Sequence, residues 1–271
     1  MSTKPGVRET WADVFGEGKR LIAMIHLAGL PGSPHARPMS EVCSSAVAEA
    51  EMLAGLGFDA LMVENYGDVP FLPGRVEEHT VVAMTLVAGE IAGRVSVPLG
   101  VNVLRNDPLS ALAVAHLVGG RFIRVNVHTG VRATDQGRIE GRAHETLRYR
   151  DRLGARALIL ADVAVKHSHS MDAMSLEESA RETAYRGLAD ALIVTGSATG
   201  AETARADLVA VHRAVPDRPV LAGSGATEQN IRALLDLADG VIIGSALKEE
   251  GRAETRVDPG RAERFLRAAG R

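Results

Sequence analysis

Eight short apolar runs punctuate the sequence at intervals of about 20 to 40 residues: LIAMIH (21–26), DALMVE (59–64), PLGVNV (98–103), RFIRVN (121–126), RALILAD (156–162), DALIVT (190–195), PVLAGS (219–224) and DGVIIGS (239–245). Each is rich in Val, Ile and Leu and apolar on both faces, as a strand buried between two layers must be. Periodicity alone does not separate such runs from fragments of buried helix. The intervals do, because each leaves room for one helix and its turns. Eight βα units predict an α/β fold, a single (β/α)8 TIM barrel with eight parallel strands, with an open doubly wound sheet as the alternative.

The chain's 271 residues lie close to the roughly 250 typical of such a barrel. Residues 20–271 are assigned to the barrel. Residues 1–19 are read as a lead-in whose Trp11, Val14 and Phe15 are expected to cover the barrel floor. Only 3% of residues are aromatic against 46% hydrophobic, so the core must be aliphatic, which suits helices packed on parallel strands.

Between the runs, SEVCSSAVAEAEMLAGLG reads as a helix with Ser40 as N-cap and Gly57 as its C-terminal glycine. SLEESARETAYRGL opens with the capping-box pair Ser175 and Glu178, and ATEQNIRALLDL starts from Thr227 in the same style. Two connections are long, 65–76 and 127–142, and are expected to form walls or lids of a site.

The net charge is −3, with no long basic run, which argues against nucleic acid as the main partner. Cys43 is the only cysteine, so neither an intrachain disulfide nor a cysteine metal framework is available. The N-terminal residues lack a signal-peptide apolar run, and no stretch approaches the roughly 18 apolar residues of a membrane helix. A cytoplasmic location without membrane insertion is expected.

In a barrel, chemistry belongs at the C-terminal strand ends. All eight ends carry polar residues: His26, Glu64 with Asn65, Asn102, Asn126, Asp162, Thr195, Ser224 and Ser245. Polar strand ends can simply begin turns, but eight in eight favours a convergent site. The last two runs end in AGSGAT and IGSALK, which predicts a phosphate cradle of Gly223, Ser224, Gly225, Gly244, Ser245 and Ala246, aided by the following helix N-termini. TGSATG (195–200) offers a third glycine loop beside it.

Past the fifth run, ADVAVKHSHS brings a carboxylate, an ammonium and imidazoles together, the ingredients of acid–base or carbonyl chemistry. Lys166 is one of four lysines, with Lys4, Lys19 and Lys248, beside twenty-seven arginines, which suggests a role that guanidinium cannot fill. The catalytic set is therefore His26, Glu64, Asp162, Lys166 and His167, with Asn65, Asn102, Asn126 and Thr195 orienting substrate. No cofactor is predicted. Asp162, His167 and His169 form an alternative set for a divalent metal.

The motifs IAMIHLAGLPGSP (22–34), MVENYGDVPF (62–71), GVNVLRND (100–107), IRVNVHTG with DQG (123–130 and 135–137), ILADVAVKH (159–167) and VTGSATG (194–200) together resemble the BtpA/SgcQ family, from about residue 15 to residue 270. The resemblance implies a phosphate-binding (β/α)8 barrel. One branch of that family is named for photosystem I biogenesis or stability in cyanobacteria. Another sits among sugar-uptake and phosphosugar genes, and no shared reaction carries over. The expected ligand is a phosphorylated small molecule, and the expected activity a phosphosugar isomerase, epimerase or aldolase-type lyase. The alternatives are a metal-assisted hydrolase and a non-catalytic assembly factor. Self-association through outer helices is the other partnership expected.

Overall fold

A computed structural model of the chain describes residues 9–164, 168–171, 173–196 and 203–271. The eight runs form eight parallel strands that close into a barrel in the order β1 (Arg20–His26), β2 (Ala60–Glu64), β3 (Leu99–Asn102), β4 (Phe122–Val125), β7 (Leu158–Ala164), β9 (Ala191–Val194), β10 (Val220–Ala222) and β11 (Gly240–Ile243), which returns to β1. β5 (Val131–Thr134), β6 (Gly137–Glu140) and β8 (Ser168–Ser170) form a separate antiparallel sheet. The open sheet is thereby excluded.

A short helix α1 (Trp11–Phe15) precedes the barrel. The outer layer comprises α2 (Met39–Leu56), α3 (Glu78–Ala92), α4 (Pro108–Val118), α5 (Ala143–Leu153), α6 (Leu176–Arg181), α7 (Arg205–Ala214), α8 (Ile231–Leu235) and α9 (Pro259–Ala269). Among the described residues, no helix is long and apolar enough to cross a membrane.

Strand parity divides the core. Residues such as Leu21, Ala23, Ile25, Leu61, Val63, Ile159, Ala161 and Val241 face outward and pack under the helices. Their alternates, including Ile22, Met24, Ala60, Met62, Phe122, Leu158, Leu160, Ile193, Leu221 and Ile242, fill the barrel interior. Both faces are buried, which is why the runs show no alternation of apolar and polar residues.

Phe122 is the largest strand side chain of that interior, and a Cβ on its β3 partner Gly100 would overlap the Phe122 ring. The ring meets Phe15 at a centroid distance of 5.2 Å, and Trp11 stacks on Phe15 at 4.1 Å. Val14 and Phe15 join the interior cluster, so α1 closes the floor and the polar strand ends lie at the opposite mouth.

Helix ends agree with the sequence in part. The capping box of Ser175 and Glu178 forms, and Gly57 closes α2 in the left-handed region at φ +103°. Ser40, however, lies inside α2, because Pro38 takes the cap position. Thr227 does not start a helix either. Its backbone N–H donates to Asn230 Oδ1 and its hydroxyl accepts from the Asn230 N–H, so the turn consumes four residues before α8 begins at Ile231.

The two long connections are ordered. Residues 131–140 fold as a hairpin around Asp135–Gln136, and the segment after β7 adds β8 to it, so the expected loop is a small sheet. Arg132 ties that sheet to the barrel by donating to the Val163 carbonyl at 2.9 Å. In the 65–76 connection, Asp68 accepts from the Leu30 N–H at 2.7 Å, the Leu72 carbonyl accepts from the Arg105 N–H, and Asp107 accepts from the Val76 N–H. The β2 connection is thus sewn to those of β1 and β3.

Candidate active site

The parity that places Ile22, Met24, Ala60, Met62, Phe122 and Leu160 inside the barrel puts His26, Glu64, Asn102, Arg124 and Asp162 one layer higher on the same face. His26 and Glu64 lie side by side in the β1–β2 register, with His26 Nε2 3.8 Å from Glu64 Oε1. Asn102 is buried and donates to Glu64 Oε2 at 2.5 Å. That bond fixes the orientation of the Glu64 carboxyl group.

The opposite wall holds an ion pair that the sequence reading did not single out. Arg124 donates through Nε and Nη2 to Asp162 at 3.1–3.2 Å, with both side chains essentially inaccessible at 3% and 0%. Burial works against the Arg124 cation, but Asp162 and Glu64 outweigh it and hold the guanidinium above its ordinary pKa. Asn126 donates to Asp162 Oδ2 at 3.0 Å, and its own Oδ1 is buried without a hydrogen-bond partner among the described residues. The Asp162 carboxylate, expected as an acid–base group, is thus held by Arg124 and Asn126.

A second buried arginine, Arg105, joins the mouth. Burial pulls its guanidinium below the ordinary value while Asp162 pulls the other way; Arg124, Asp135 and Glu64 also act on it. Asp135, at the tip of the hairpin, therefore lies within the electrostatic reach of the mouth.

The expected cradle residues gather as a unit. Gly223, Ser224, Gly225, Gly244, Ser245 and Ala246 line one cavity of about 40 Å³ together with His26, Glu64 and Arg124, enough for a few waters or one small anion. A Cβ on Gly223 would overlap Ile193 Cγ2, and one on Gly244 would come within 3.1 Å of the His26 ring. Gly225 takes the left-handed conformation at φ +70°. Among the described residues, the backbone N–H groups of Gly225, Ala226, Ser245 and Ala246 donate to no acceptor.

Helix dipoles contribute less than expected. The β10 loop leads to α8, five residues long and starting only at Ile231, and β11 leads to a single 3-10 turn at Ser245–Leu247. Free loop amides and Arg124 therefore supply the local positive potential.

Other expected residues fall elsewhere. Asn65 has the wrong parity to face the barrel axis. It bonds Asp68 and the backbone of Leu104, clipping two connections together. Ser224 turns its hydroxyl to accept from the Gly196 N–H at 2.7 Å, which ties the β10 loop to the β9 loop. Thr195 is buried just past the end of β9, two residues after the inward-facing Ile193. His169 is exposed on β8, away from buried Asp162. Among the described residues, no group of three or more His, Cys, Asp or Glu side chains is placed to hold a metal ion. Lys166, His167 and the 197–200 part of the third glycine loop lie outside the described residues.

The comparisons with known proteins agree with this architecture. The sequence profile of the BtpA family matches residues 17–271. The photosystem I biogenesis protein BtpA of Synechocystis sp. is 46% identical over 249 residues, covering 92% of this chain and 87% of that protein. The putative sgc region protein SgcQ of Escherichia coli is 33% identical over 262 residues, covering 94% and 95%. Among solved structures, phosphoribosyl anthranilate isomerase from Thermus thermophilus superposes with a TM-score of 0.56 at 12% identity over 93% of this chain and 98% of that one, a likeness of fold.

Proposed function

The chain belongs to the BtpA family, and from that premise we propose that it is an enzyme acting on a phosphorylated small molecule, a phosphosugar isomerase, epimerase or aldolase-type lyase. The observation that carries the reading is the shared cavity. The two small-residue loops of β10 and β11 enclose it with His26, Glu64 and Arg124. In this reading a phosphate seats against the amides of residues 225–226 and 245–246, with Arg124 supplying charge from below. Remote phosphate binding then holds the reacting carbon near His26 and Glu64. These two exchange protons, and Asn102 keeps Glu64 oriented. Asp162 acts through Arg124, which it holds in place.

The test is a thermal-shift screen of inorganic phosphate and sugar monophosphates against their dephosphorylated counterparts. A ligand at a hundred times its Kd stabilises the native state by about 2.7 kcal/mol. Gly225→Asp, which places a carboxylate in the cradle, should abolish the response. An equal shift in a folded Gly225→Asp variant removes the phosphate site.

A second reading, a non-catalytic assembly factor, draws on the name of the Synechocystis relative and on the exposed Val82, Leu86 and Leu117 of the neighbouring helices α3 and α4. Complementation of a strain lacking the protein separates the two readings. Loss with Glu64→Gln supports the enzyme, and loss only with Val82→Ser, Leu86→Ser and Leu117→Ser supports the assembly factor.

A further inference from the structure

Between the 3-10 turn after β11 and α9, residues 248–257 form a strap that passes behind His26. Its two ends meet as an antiparallel bridge between Lys248 and Val257. Both are anchored on one carboxylate from α2. Glu49 Oε2 accepts from Lys248 Nζ at 3.1 Å, and Glu49 Oε1 accepts from the Val257 N–H at 3.0 Å. The Lys248 side chain is 1% exposed, which makes this an ion pair inside the protein. Such a pair is weak evidence for stability, since apolar residues of similar volume often serve as well. Its specificity lies in where it holds the strap.

The strap makes two contacts to the site. The Ala253 carbonyl lies 3.1 Å from His26 Nδ1. Tyr66 stacks on the His26 ring at 4.6 Å and donates through its hydroxyl to Glu254 at 3.3 Å. Gly244 lies against the ring, where an added Cβ would come within 3.1 Å of it.

A carbonyl oxygen only accepts, so the Nδ1 partner of Ala253 must carry a proton. In neutral imidazole that assigns the lone pair to Nε2, the nitrogen nearest Glu64. On protonation, Nε2 gains the second proton while Nδ1 keeps the first. Among the described residues, Glu64, Arg124, Tyr66 and Glu254 lie around the ring, and His35, Arg37, Glu41, Glu49 and Arg256 line a second cavity with it.

We propose that the 248–257 strap, pinned by the buried Glu49–Lys248 pair, is a positioning element that locks the His26 proton on Nδ1 and makes Nε2 the nitrogen through which protons come and go. The proposal rests on the reading of His26 as the proton carrier. Glu49 and Lys248 are positioning residues, which act through the strap.

The experiment is long-range ¹H–¹⁵N imidazole spectroscopy of the ¹⁵N-labelled full chain across a pH titration, with the His26 signals identified by their loss in His26→Gln. In the wild type, Nδ1 should stay protonated throughout and only Nε2 should titrate. In Glu49→Leu/Lys248→Met, which removes both buried charges together, neutral His26 should become a mixture with the Nε2–H form. The amides of 249–256 should also exchange at least tenfold faster. If the double variant misfolds, Glu49→Gln keeps an acceptor for Val257 and replaces it with the same two outcomes. A wild-type neutral His26 protonated on Nε2, or a variant retaining the pure Nδ1–H form, overturns the proposal. The phosphate thermal shift is measured on the same samples. Its absence in a wild type that keeps the Nδ1–H form rejects the cradle and leaves the strap intact.

Discussion

Replacing Arg124 by Met deletes the guanidinium and strands the Asp162 carboxylate, whose side chain is 0% exposed, with the Asn126 amide as its remaining side-chain hydrogen-bond donor among the described residues and Arg105 as the nearby cation. Removing one partner of a fully buried pair costs about 3–5 kcal/mol, because the remaining charge is left uncompensated. For a domain of this size each kcal/mol lowers Tm by roughly 2–4 °C, so the midpoint should fall by about 6–20 °C. Arg124→Met/Asp162→Asn leaves no buried charge at the position and keeps an acceptor for Asn126, so it should recover most of that loss. Calorimetry or urea melts of the wild type and both variants measure the stability terms. The double variant also lacks the cation that lines the cradle cavity, so it should fold yet lose stabilisation by inorganic phosphate. Arg124→Met within about 1 kcal/mol of wild type refutes the buried-pair argument, since exposed pairs are worth that little. Undiminished phosphate stabilisation in the double variant refutes the placement of Arg124 in the anion site.

Three further outcomes follow from the geometry. Gly223→Ala forces a methyl against Ile193 and Thr195, which should cost about 1–3 kcal/mol in a urea melt and weaken phosphate binding together with stability. Phe15→Ala uncovers the interior beneath Phe122 and should cost about 3 kcal/mol, with phosphate binding to the remaining native state unchanged at the opposite mouth. Burial lowers the pKa of His128 against the opposing bond to the Gly187 carbonyl, so its neutral form is favoured in the fold. The unfolded chain then binds the extra proton first, and this contribution is lost as pH falls below the unfolded value of about 6.5 towards the folded one. His128→Gln should flatten the decline of Tm over that window, and an unchanged slope assigns the decline to other groups.

The barrel was legible because its constraint is repeated eight times. A parallel strand covered on both faces must be apolar throughout, and the intervals between such runs leave space for one helix each. What escaped were features set by one contact or one short pairing. The sheet of β5, β6 and β8 depends on residues 131–140 meeting 168–170 across more than thirty positions, and no local pattern announces that partner. Ser40 and Thr227 are good capping residues in isolation. Pro38 and the mutual bonds of Thr227 with Asn230 place the helix starts elsewhere.

For the site, the polar strand ends were visible, but a polar end does not say which way it points. Parity does, and it was available in the letters. Counting by two from Phe122 reaches Arg124 and then Asn126, so a charge inside an apolar run belonged to the interior and had to be paired there. Applied to β2, the same count keeps Glu64 and turns Asn65 away, where it is found bonding Leu104 and Asp68. Lysine scarcity points to Lys248 as much as to Lys166. Lys248 lies buried against Glu49, a partner 199 residues away that only the closed fold brings near. In a chain that places arginine almost everywhere else, the use of lysine there fits a compact cation with little room around it. The pair matters through the strap it anchors, whose Ala253 carbonyl sets the side of His26 that faces Glu64.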